Sequence, residues 1–265
     1  MAPPGWDRGQ LAAGLRLLEL RRDVDVIVHS SLRAVGWVAG GPATVLAAVR
    51  EVIGPLATVV VPTQTADNST TSDVHRRRIA GLNEAEIEDY LARMPPFVAA
   101  ETPSVEMGIF AEHVRRHPLA RRSAHPIVSF AALGPRATEI TAVHPMDCHL
   151  GDDSPLGALA KGKGQVLLLG VGYDKATAFH LAEHRIGAPM RTYLSKVRDA
   201  DHPEGVWTEY KGASLDDSDF GQLGQAMAAH DWVRTGKVGF AESVCFPVVN
   251  AVHFAVEWIR RHRHR

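Results

Sequence analysis

Two apolar runs separated by a helical pattern dominate the first quarter of the chain. DVDVIVHSS, residues 23–31, predicts a buried strand, and ATVVVPT, residues 57–63, predicts a second. Between them, GPATVLAAVREVIG predicts a helix that begins near Gly41 or Pro42 and ends at Gly54. This order is typical of a parallel βαβ unit, whose ligands bind at the carboxyl ends of the strands. We therefore expect functional side chains near His29 and Pro62.

Strand and helix patterns continue to the end of the chain. Further helices are predicted over 6–22, 84–93, 107–117, 219–230 and 250–262, and after the turn at 170–172; further strands are predicted over 127–134, 166–172, 190–197, 205–212 and 238–248. Residues 65–104 lack apolar periodicity and predict an elaborated, lid-like insertion. No repeat and no Ser/Gly linker divides the chain. We predict a single α/β domain over 1–265, with a mixed, largely parallel central sheet flanked by helices.

Overall composition gives no reason to expect a nucleic-acid or membrane partner. Lys and Arg number 29 against 30 Asp and Glu, and no apolar run is long enough to cross a bilayer. The first ten residues lack the pattern of a signal peptide, so we expect a cytoplasmic protein. Cys148 and Cys245 are isolated, which predicts neither a disulfide framework nor a CxxC metal site.

Charge is unevenly distributed along the chain. Residues 115–125 contain four arginines and no acid, which suits phosphate groups. Residues 199–219 contain seven acids against Lys211 alone, which suits a cationic ligand. The alternative is that both stretches are solvated surface with no ligand.

His180 and Glu183 stand three residues apart on the helix predicted after the strand at 166–172. Such residues lie on one helix face, and a carboxylate beside a histidine holds one tautomer and makes it a better base. Glu183 could instead bind a substrate ammonium, and both could be an ordinary exposed helix pair. His184 completes an HxxEH pattern, but the Glu is misplaced for a zinc helix and no third ligand is marked, so we expect no metal.

His29 ends the first predicted strand and precedes two serines. A histidine at such a position is either a hydrogen-bonded core residue or, because of its place at a carboxyl edge, a catalytic group. The serine turn could hold a pyrophosphate or a carbonyl oxygen through hydroxyl and amide groups. Neither GxSxG nor GxGxxG is convincing in this chain, which argues against a serine hydrolase or a dinucleotide-binding dehydrogenase.

Several longer blocks carry a family resemblance. They are VHSSLRAVGWVAGG, VVVPTQT, ETPSVEMGIFAE, RRSAHPIVSFAALG, HPMDCHLGDDSPLGAL, GQVLLLGVGYDKATAFHLAE and GFAESVCF, in this order along the chain. With them the chain resembles the aminoglycoside 3-N-acetyltransferases, a family of antibiotic N-acetyltransferases distinct from the GNAT fold. The resemblance implies acetyl-CoA as cosubstrate and the 3-amino group of a 2-deoxystreptamine aminoglycoside as acceptor, and hence antibiotic resistance.

The resemblance also implies roles for individual residues. His180 would be the general base of a direct transfer, Glu183 would orient it or hold the acceptor, and His29 with amides of the serine turn would stabilise the oxyanion. The implied cofactor-binding residues are Ser30, Ser31, Thr63, Ser104, Val105, Met107 and Ser123. The acidic residues assigned to the acceptor are Asp67, Glu183, Glu209 and Asp219. We expect structural roles for His125 and His144, which precede prolines.

Two alternatives remain at this point. Residues 191–219 match the family loosely, so the protein could be a CoA-dependent N-acyltransferase acting on another amine in natural-product metabolism. It could also be a CoA-binding protein without catalysis. No oligomeric state is predicted by the sequence.

Overall fold

Three short apolar strands form the centre of the protein. The computed structural model describes residues 5–263. In it β1 (Val26–Ser30) pairs in parallel with β2 (Val59–Pro62) on one side and with β5 (Gln165–Leu169) on the other. Because helices cover both faces, the three strands are buried almost throughout and their sequences are continuous apolar runs rather than alternating ones.

Four more strands extend this centre into a seven-stranded sheet. They are β3 (Arg121–Arg122), β4 (Phe130–Leu133), β8 (Arg234–Val238) and β9 (Ala241–Pro247), and the strand order is β3-β4-β2-β1-β5-β9-β8. β4 and β9 each run antiparallel to both of their neighbours, so the other five strands share one direction. The predicted mixed, largely parallel sheet is confirmed, with the antiparallel pairings confined to its flanks.

Helices cover both faces of the sheet. They are α1 (Arg8–Leu17), α2 (Leu32–Val35), α3 (Pro42–Ile53), α4 (Asp73–Ile79), α5 (Glu84–Arg93), α6 (Gly108–Arg115), α7 (Ala137–Thr141), α8 (Pro155–Lys161), α9 (Ala178–Arg185), α10 (Phe220–Met227) and α11 (Val248–His262). α1, α3 and α6 pack on one face and α7 to α11 on the other. Alternate residues of each central strand enter the two cores: Val26 and Val28 face the first, and Ile27 faces the second.

The loosely matched segment forms a separate β-hairpin. β6 (Met190–Val197) pairs antiparallel with β7 (Val206–Ala213), as a two-stranded sheet outside the main one. Residues 65–104 are tied to this hairpin: the Asn68 amide donates to the Lys196 carbonyl at 3.0 Å, and its oxygen accepts from the Lys196 N–H at 3.1 Å. Phe97 adds a parallel bridge to Val197. The elaborated segment and the hairpin therefore form one layer beside the sheet.

The differences from the predicted elements have local causes. The first helix ends at Leu17, shorter than predicted, because Glu19 and Asp23 adopt left-handed backbone angles. α4 was not predicted, since its sequence DVHRRRI has no apolar stripe. The remaining unpredicted elements, α2, α7, α8, β3 and β8, are too short for a periodic pattern. Within residues 5–263, no helix combines the length and the apolar character needed to cross a membrane.

Three buried histidines join the hairpin layer to the main sheet. The ring of His125 lies 4.8 Å from that of His144 and 4.9 Å from that of His149, centroid to centroid. His144 Nε2 donates to the His149 carbonyl oxygen at 2.7 Å, and His125 Nδ1 accepts from the Ile127 N–H at 3.1 Å. The His149 ring packs under Gly212, where a Cβ atom would come within 1.9 Å of it. Only glycine leaves room for this ring beneath the hairpin.

The three histidines are held in their neutral form. Burial lowers the pKa of His144 to about 4 and, aided by the charge of His184, lowers the pKa of His149 to about 3. The pKa of His125 lies well below its usual value for the same reason, with His144 adding to the effect. Neither ring nitrogen of His149 has a hydrogen-bond partner among the described residues, so this ring acts as a packing group.

We expect the protein to lose stability as the pH falls from about 6.5 to about 4. Unfolded histidines take up a proton near pH 6.5, whereas these buried ones resist protonation, so acid favours the unfolded chain. Each contributes at most about 1.4 kcal/mol per pH unit in this window. Urea unfolding at pH 7, 6 and 5 measures the slope. His149→Phe should make it shallower, whereas His253→Gln, on the exposed face of α11, should not. Equal slopes for His149→Phe and the parent protein would contradict the interpretation.

Candidate functional site

A cavity of about 320 Å³ opens at the carboxyl ends of the three central strands. Its wall consists of His29 and Ser30 after β1, Pro62 and Gln64 after β2, Glu106 and Met107 before α6, Val171, Asp174, Lys175, Thr177 and His180 after β5, and Asp217 and Phe220 before and in α10, with Val28 and Ala111 behind them. The chain leaves β1 toward α3 on one face and leaves β5 toward α9 on the other. Ligands of α/β sheets bind where adjacent strands diverge in this way.

α9 brings His180 to the cavity wall. The helix follows β5 after a glycine-containing turn and a short 3-10 helix, Tyr173–Lys175. The His180 side chain is 13% exposed, and its Nδ1 lies 2.5 Å from Oε2 of Glu183, one helical turn on. With Nδ1 donating to the carboxylate, the lone pair of the imidazole stands on Nε2.

Glu183 is buried behind His180 rather than on the cavity wall. The residue is 2% exposed, and its second oxygen, Oε1, accepts from the Asp216 N–H at 3.0 Å and from the Arg263 guanidinium. Both carboxylate oxygens are therefore in use. This arrangement gives Glu183 the geometry of an orienting group; Glu183 is not among the residues of the cavity wall, and its assignment to the acceptor stays a prediction.

His29 lines the same cavity as His180. It is 6% exposed, and its Nε2 lies 3.3 Å from the Thr177 hydroxyl. Burial, and secondly the charge of His180, lower the pKa of His29 to about 3. His29 is consequently a neutral imidazole near pH 7, able to hydrogen-bond a ligand without carrying charge.

The serine turn lies between His29 and α2. Ser30 is half-buried on the cavity wall, while Ser31 caps α2, its hydroxyl accepting from the Ala34 N–H at 3.4 Å. The Ser31 N–H is already engaged with the Leu169 carbonyl. Of the two serines, Ser30 is the one whose side chain lines the cavity.

The structure separates the other residues predicted to bind the cofactor. Met107 lines the cavity, and Val105 stands just before it, its N–H bonded to the Gln64 carbonyl at 2.8 Å. The Ser104 hydroxyl donates to Glu112 at 2.7 Å. Thr63 and Ser123 are fully buried and do not line the cavity, so their assignment to the cofactor stays a prediction.

The two fully buried residues have internal partners. The Thr63 hydroxyl accepts from Arg122 Nε at 3.1 Å, and the Ser123 hydroxyl lies 2.9 Å from His144 Nδ1. Arg122 itself donates to the carbonyls of Thr63 and Thr102, and burial lowers its pKa to about 10. Much of the basic stretch is therefore structural. Arg116 and Arg121 remain exposed, beside a separate cavity at the far end of α6.

The acidic residues predicted for the acceptor do not line the cavity. Asp67 pairs with Arg78 at 2.7 Å, Asp219 pairs with Arg263 at 2.5 Å, and Glu209 lies on the exposed side of β7. The acidic stretch 199–219 does contribute one carboxylate to the cavity wall, but that residue is Asp217, which was not among the predicted acceptor residues.

Three other carboxylates stand on the cavity wall. Glu106 pairs with Arg77 at 2.9 Å and Asp174 with Lys175 at 3.0 Å, whereas Asp217 is exposed and makes no ion pair within residues 5–263. Asp217 lies within the acidic stretch 199–219, so local charge was the available signal for it. For Glu106 and Asp174 the only signal was that they lie within the blocks ETPSVEMGIFAE and GQVLLLGVGYDKATAFHLAE.

Neither cysteine lies on the cavity wall. Cys245 is buried and Cys148 half-buried, burial raises the pKa of both, to about 12 for Cys245, and neither lines the wall. Across residues 5–263 no three His, Cys, Asp or Glu side chains are grouped as a metal site.

Comparison with known proteins gives a consistent result. The sequence model of the family described as aminoglycoside 3-N-acetyltransferase matches residues 27–260. The chain is 36% identical over 246 residues to the aminoglycoside N(3')-acetyltransferase-like protein YokD of Bacillus subtilis, covering 92% of this chain and 89% of YokD. It is 33% identical over 282 residues to aminoglycoside N(3)-acetyltransferase VII of Streptomyces paromomycinus, covering 95% and 91%.

Solved structures agree with the sequence relatives. The crystal structure of YokD superposes with a TM-score of 0.90, over 98% of this chain and 95% of that one. AAC-VIa bound to sisomicin superposes with a TM-score of 0.83 at 28% identity, over 99% and 100% of the chains. AAC-IIIb in binary complex with CoASH also gives 0.83 at 28% identity, over 97% of each chain. In fold and in sequence over nearly its whole length, this chain belongs to the aminoglycoside 3-N-acetyltransferase family.

Proposed function

We propose that the protein transfers the acetyl group of acetyl-CoA directly to the 3-amino group of a 2-deoxystreptamine aminoglycoside, with His180 as general base. The observation that carries the mechanism is the position of His180, on the cavity wall with Nδ1 held by the buried Glu183 carboxylate. The CoASH and sisomicin complexes of structural neighbours support the two ligands. The proposed setting is the cytoplasm, where acetylation would confer antibiotic resistance.

His180 Nε2 removes a proton from the acceptor ammonium, because only the free amine is nucleophilic. The amine nitrogen then attacks the thioester carbonyl carbon, forming the C–N bond. His180 passes this first proton to solvent and then takes the second proton from the nitrogen of the tetrahedral intermediate. As the carbonyl re-forms and the C–S bond breaks, CoA leaves as a thiolate, and the proton held by His180 can return to the sulfur. Glu183 keeps Nδ1 protonated throughout, so that Nε2 is the nitrogen that exchanges the proton.

His29 and the turn that follows it stabilise the negative oxygen of the tetrahedral intermediate. A neutral imidazole suits this role, since it donates a hydrogen bond without competing with His180 for protons. Ser30 supplies a hydroxyl on the same wall. Met107 and the segment before it border the side of the cavity where we place the pantetheine arm.

The acceptor's remaining ammonium groups bind carboxylates on the cavity wall. Asp217 is the principal candidate because it is exposed, makes no ion pair among the described residues, and lines the same cavity as Phe220 and His180. A polycationic acceptor carries several ammonium groups, and carboxylates are the side chains that form charge-assisted hydrogen bonds with them.

A second candidate is transfer to a different amine. The observation that favours it is the absence from the cavity wall of Asp67, Glu209 and Asp219, the acids assigned to an aminoglycoside by resemblance. A thiol-release assay with acetyl-CoA and a panel of 2-deoxystreptamine aminoglycosides decides between them. Release with no member of the panel, but with another amine, would select the second candidate.

Replacing His180 by Ala should lower kcat by about 10²- to 10⁴-fold while leaving acetyl-CoA binding nearly unchanged. The loss follows from removing the proton acceptor, and the binding is preserved because the proposed pantetheine contacts lie elsewhere. Thiol release and calorimetric titration with CoA measure the two quantities. His253→Ala, on exposed α11, serves as the matched control. Full turnover in the His180 variant would exclude the proposed base.

The rate of transfer should be lower in acid than at neutral pH. Protonated His180 cannot accept a proton from the acceptor, so activity follows its neutral form. The measurement is kcat/KM from about pH 5 to 9, with solvent viscosity varied to detect limiting product release. If kcat/KM does not change with pH, and its dependence on solvent viscosity is also the same at every pH, His180 is not the general base.

Asp217→Asn should raise the KM for an aminoglycoside by about two- to fivefold and leave the KM for acetyl-CoA unchanged. The loss is that of one exposed ion pair, so it should shrink as salt concentration increases. Glu209→Gln is the matched control, since Glu209 is also acidic and exposed but outside the cavity. Equal effects of the two substitutions would remove Asp217 from the acceptor site.

A further inference from the structure

The last helix reaches back to the candidate base through one side chain. Arg263 follows the end of α11 and is only 20% exposed in its side chain. Its Nε donates to Asp219 Oδ2 at 2.7 Å, its Nη2 donates to the Asp216 carbonyl at 2.6 Å, and its Nη1 contacts Glu183 Oε1. All three nitrogens of the guanidinium are thus engaged around the back of the cavity.

We propose that Arg263 is a positioning residue that holds Glu183, and through it His180, in the geometry needed for proton transfer. The inference rests on the base role proposed for His180, and Arg263 itself does not line the cavity. Its contribution acts entirely through the side chains and backbone groups that it binds.

Arg263 compensates a buried charge. Glu183 is 2% exposed, and an ionised carboxylate so far from water is costly unless it is paired and hydrogen-bonded. It receives three donors: His180 Nδ1, the Asp216 N–H and Arg263. Arg263 is the only one of these that is permanently cationic, and it therefore balances the carboxylate while His180 is neutral.

Arg263 also holds the segment that forms one side of the cavity wall. Arg263 binds both Asp216 and Asp219, which bracket Asp217, and its guanidinium carbon lies 5.8 Å from the centre of the Phe220 ring. That ring in turn lies 4.7 Å from the ring of His180, centroid to centroid. One side chain consequently fastens the base and the acceptor wall to the same helix.

The neighbouring arginines of α11 have no such role. Arg260 and Arg261 are exposed and pair only with Glu257 on their own helix, among the described residues. They share the charge and the helix turn of Arg263 without its contacts. Arg261 is therefore a matched control for both charge and position.

The pH dependence of His180 depends on every charged or titratable group around it. These are His29 from β1, His149 from the loop before α8, Glu183 and His184 from α9, Asp174 and Lys175 from the preceding 3-10 helix, Asp216 and Asp217 from the loop before α10, and Arg263 after α11. Of these, Arg263 is the cation bound directly to the carboxylate that holds His180. Its removal leaves the Glu183 charge uncompensated, which favours the imidazolium.

The test compares Arg263→Gln, Arg263→Lys and Arg261→Gln in the full-length chain, with kcat and KM measured across pH. Arg263→Gln should lower kcat by roughly ten- to a hundredfold and move the acidic limb of the profile to higher pH. Arg263→Lys keeps the charge, so it should leave the limb in place and recover part of kcat. The KM for acetyl-CoA should stay unchanged, and Arg261→Gln should behave as the parent protein.

An unmoved acidic limb in Arg263→Gln, or equal losses in the Gln and Lys variants, would overturn the inference and leave a purely structural role. Should Arg263→Gln fail to fold, Arg263→Lys decides alone: because lysine keeps the charge but loses the guanidinium contacts, kcat must fall while the acidic limb stays in place, and a parent-like kcat or a moved limb overturns the inference. His180→Ala is measured alongside. Loss of activity there with a parent-like Arg263→Gln rejects only this inference, whereas activity retained in His180→Ala rejects the proposed base itself.

Discussion

The buried carboxylate of Glu183 is the interaction on which the arrangement of the site depends. A charge removed from water must be surrounded by donors, and here the donors come from α9 itself, from the loop before α10 and from the end of α11. The requirement to satisfy this one group therefore fixes three separate segments relative to each other. The same carboxylate orients His180 by accepting from Nδ1, and Nε2 remains available on the cavity side.

The cavity exists because of how the central strands are connected. β1 and β5 are neighbours, yet the chain leaves them toward opposite faces of the sheet, and this opens a crevice at their carboxyl ends. The hairpin of β6 and β7, with the segment 65–104, adds a second layer beside the crevice. Buried neutral histidines pack between that layer and the sheet, and the ring of His149 fits there because Gly212 has no side chain. The candidate site of this family member therefore lies at the sheet edge of an α/β fold, beside an added layer.

Sequence patterns identified the elements that are long or strongly apolar. α3, β6 and the central strands lie where periodicity predicted them, since continuous apolar runs and helical stripes are local properties. Individual contacts were less accessible. Asp67 and Asp219 are acids in suitable places along the chain, but Arg78 and Arg263 neutralise them. Thr63 and Ser123 lie in well-matched blocks, yet their side chains are buried. Pairing and burial depend on residues distant in sequence, and no local pattern reports them.

The sequence by itself determined the α/β class, the placement of His180 and Glu183 on one helical face and the resemblance to a family, because each rests on spacing or on ordered blocks along the chain. The tertiary structure decided what Glu183 does. Its second oxygen binds Arg263, which lies 80 positions further along the chain, and only the packing of α11 against α9 brings the two together. A helical repeat shows which side chains share a face, whereas the partner on the other side of that face is set by the fold.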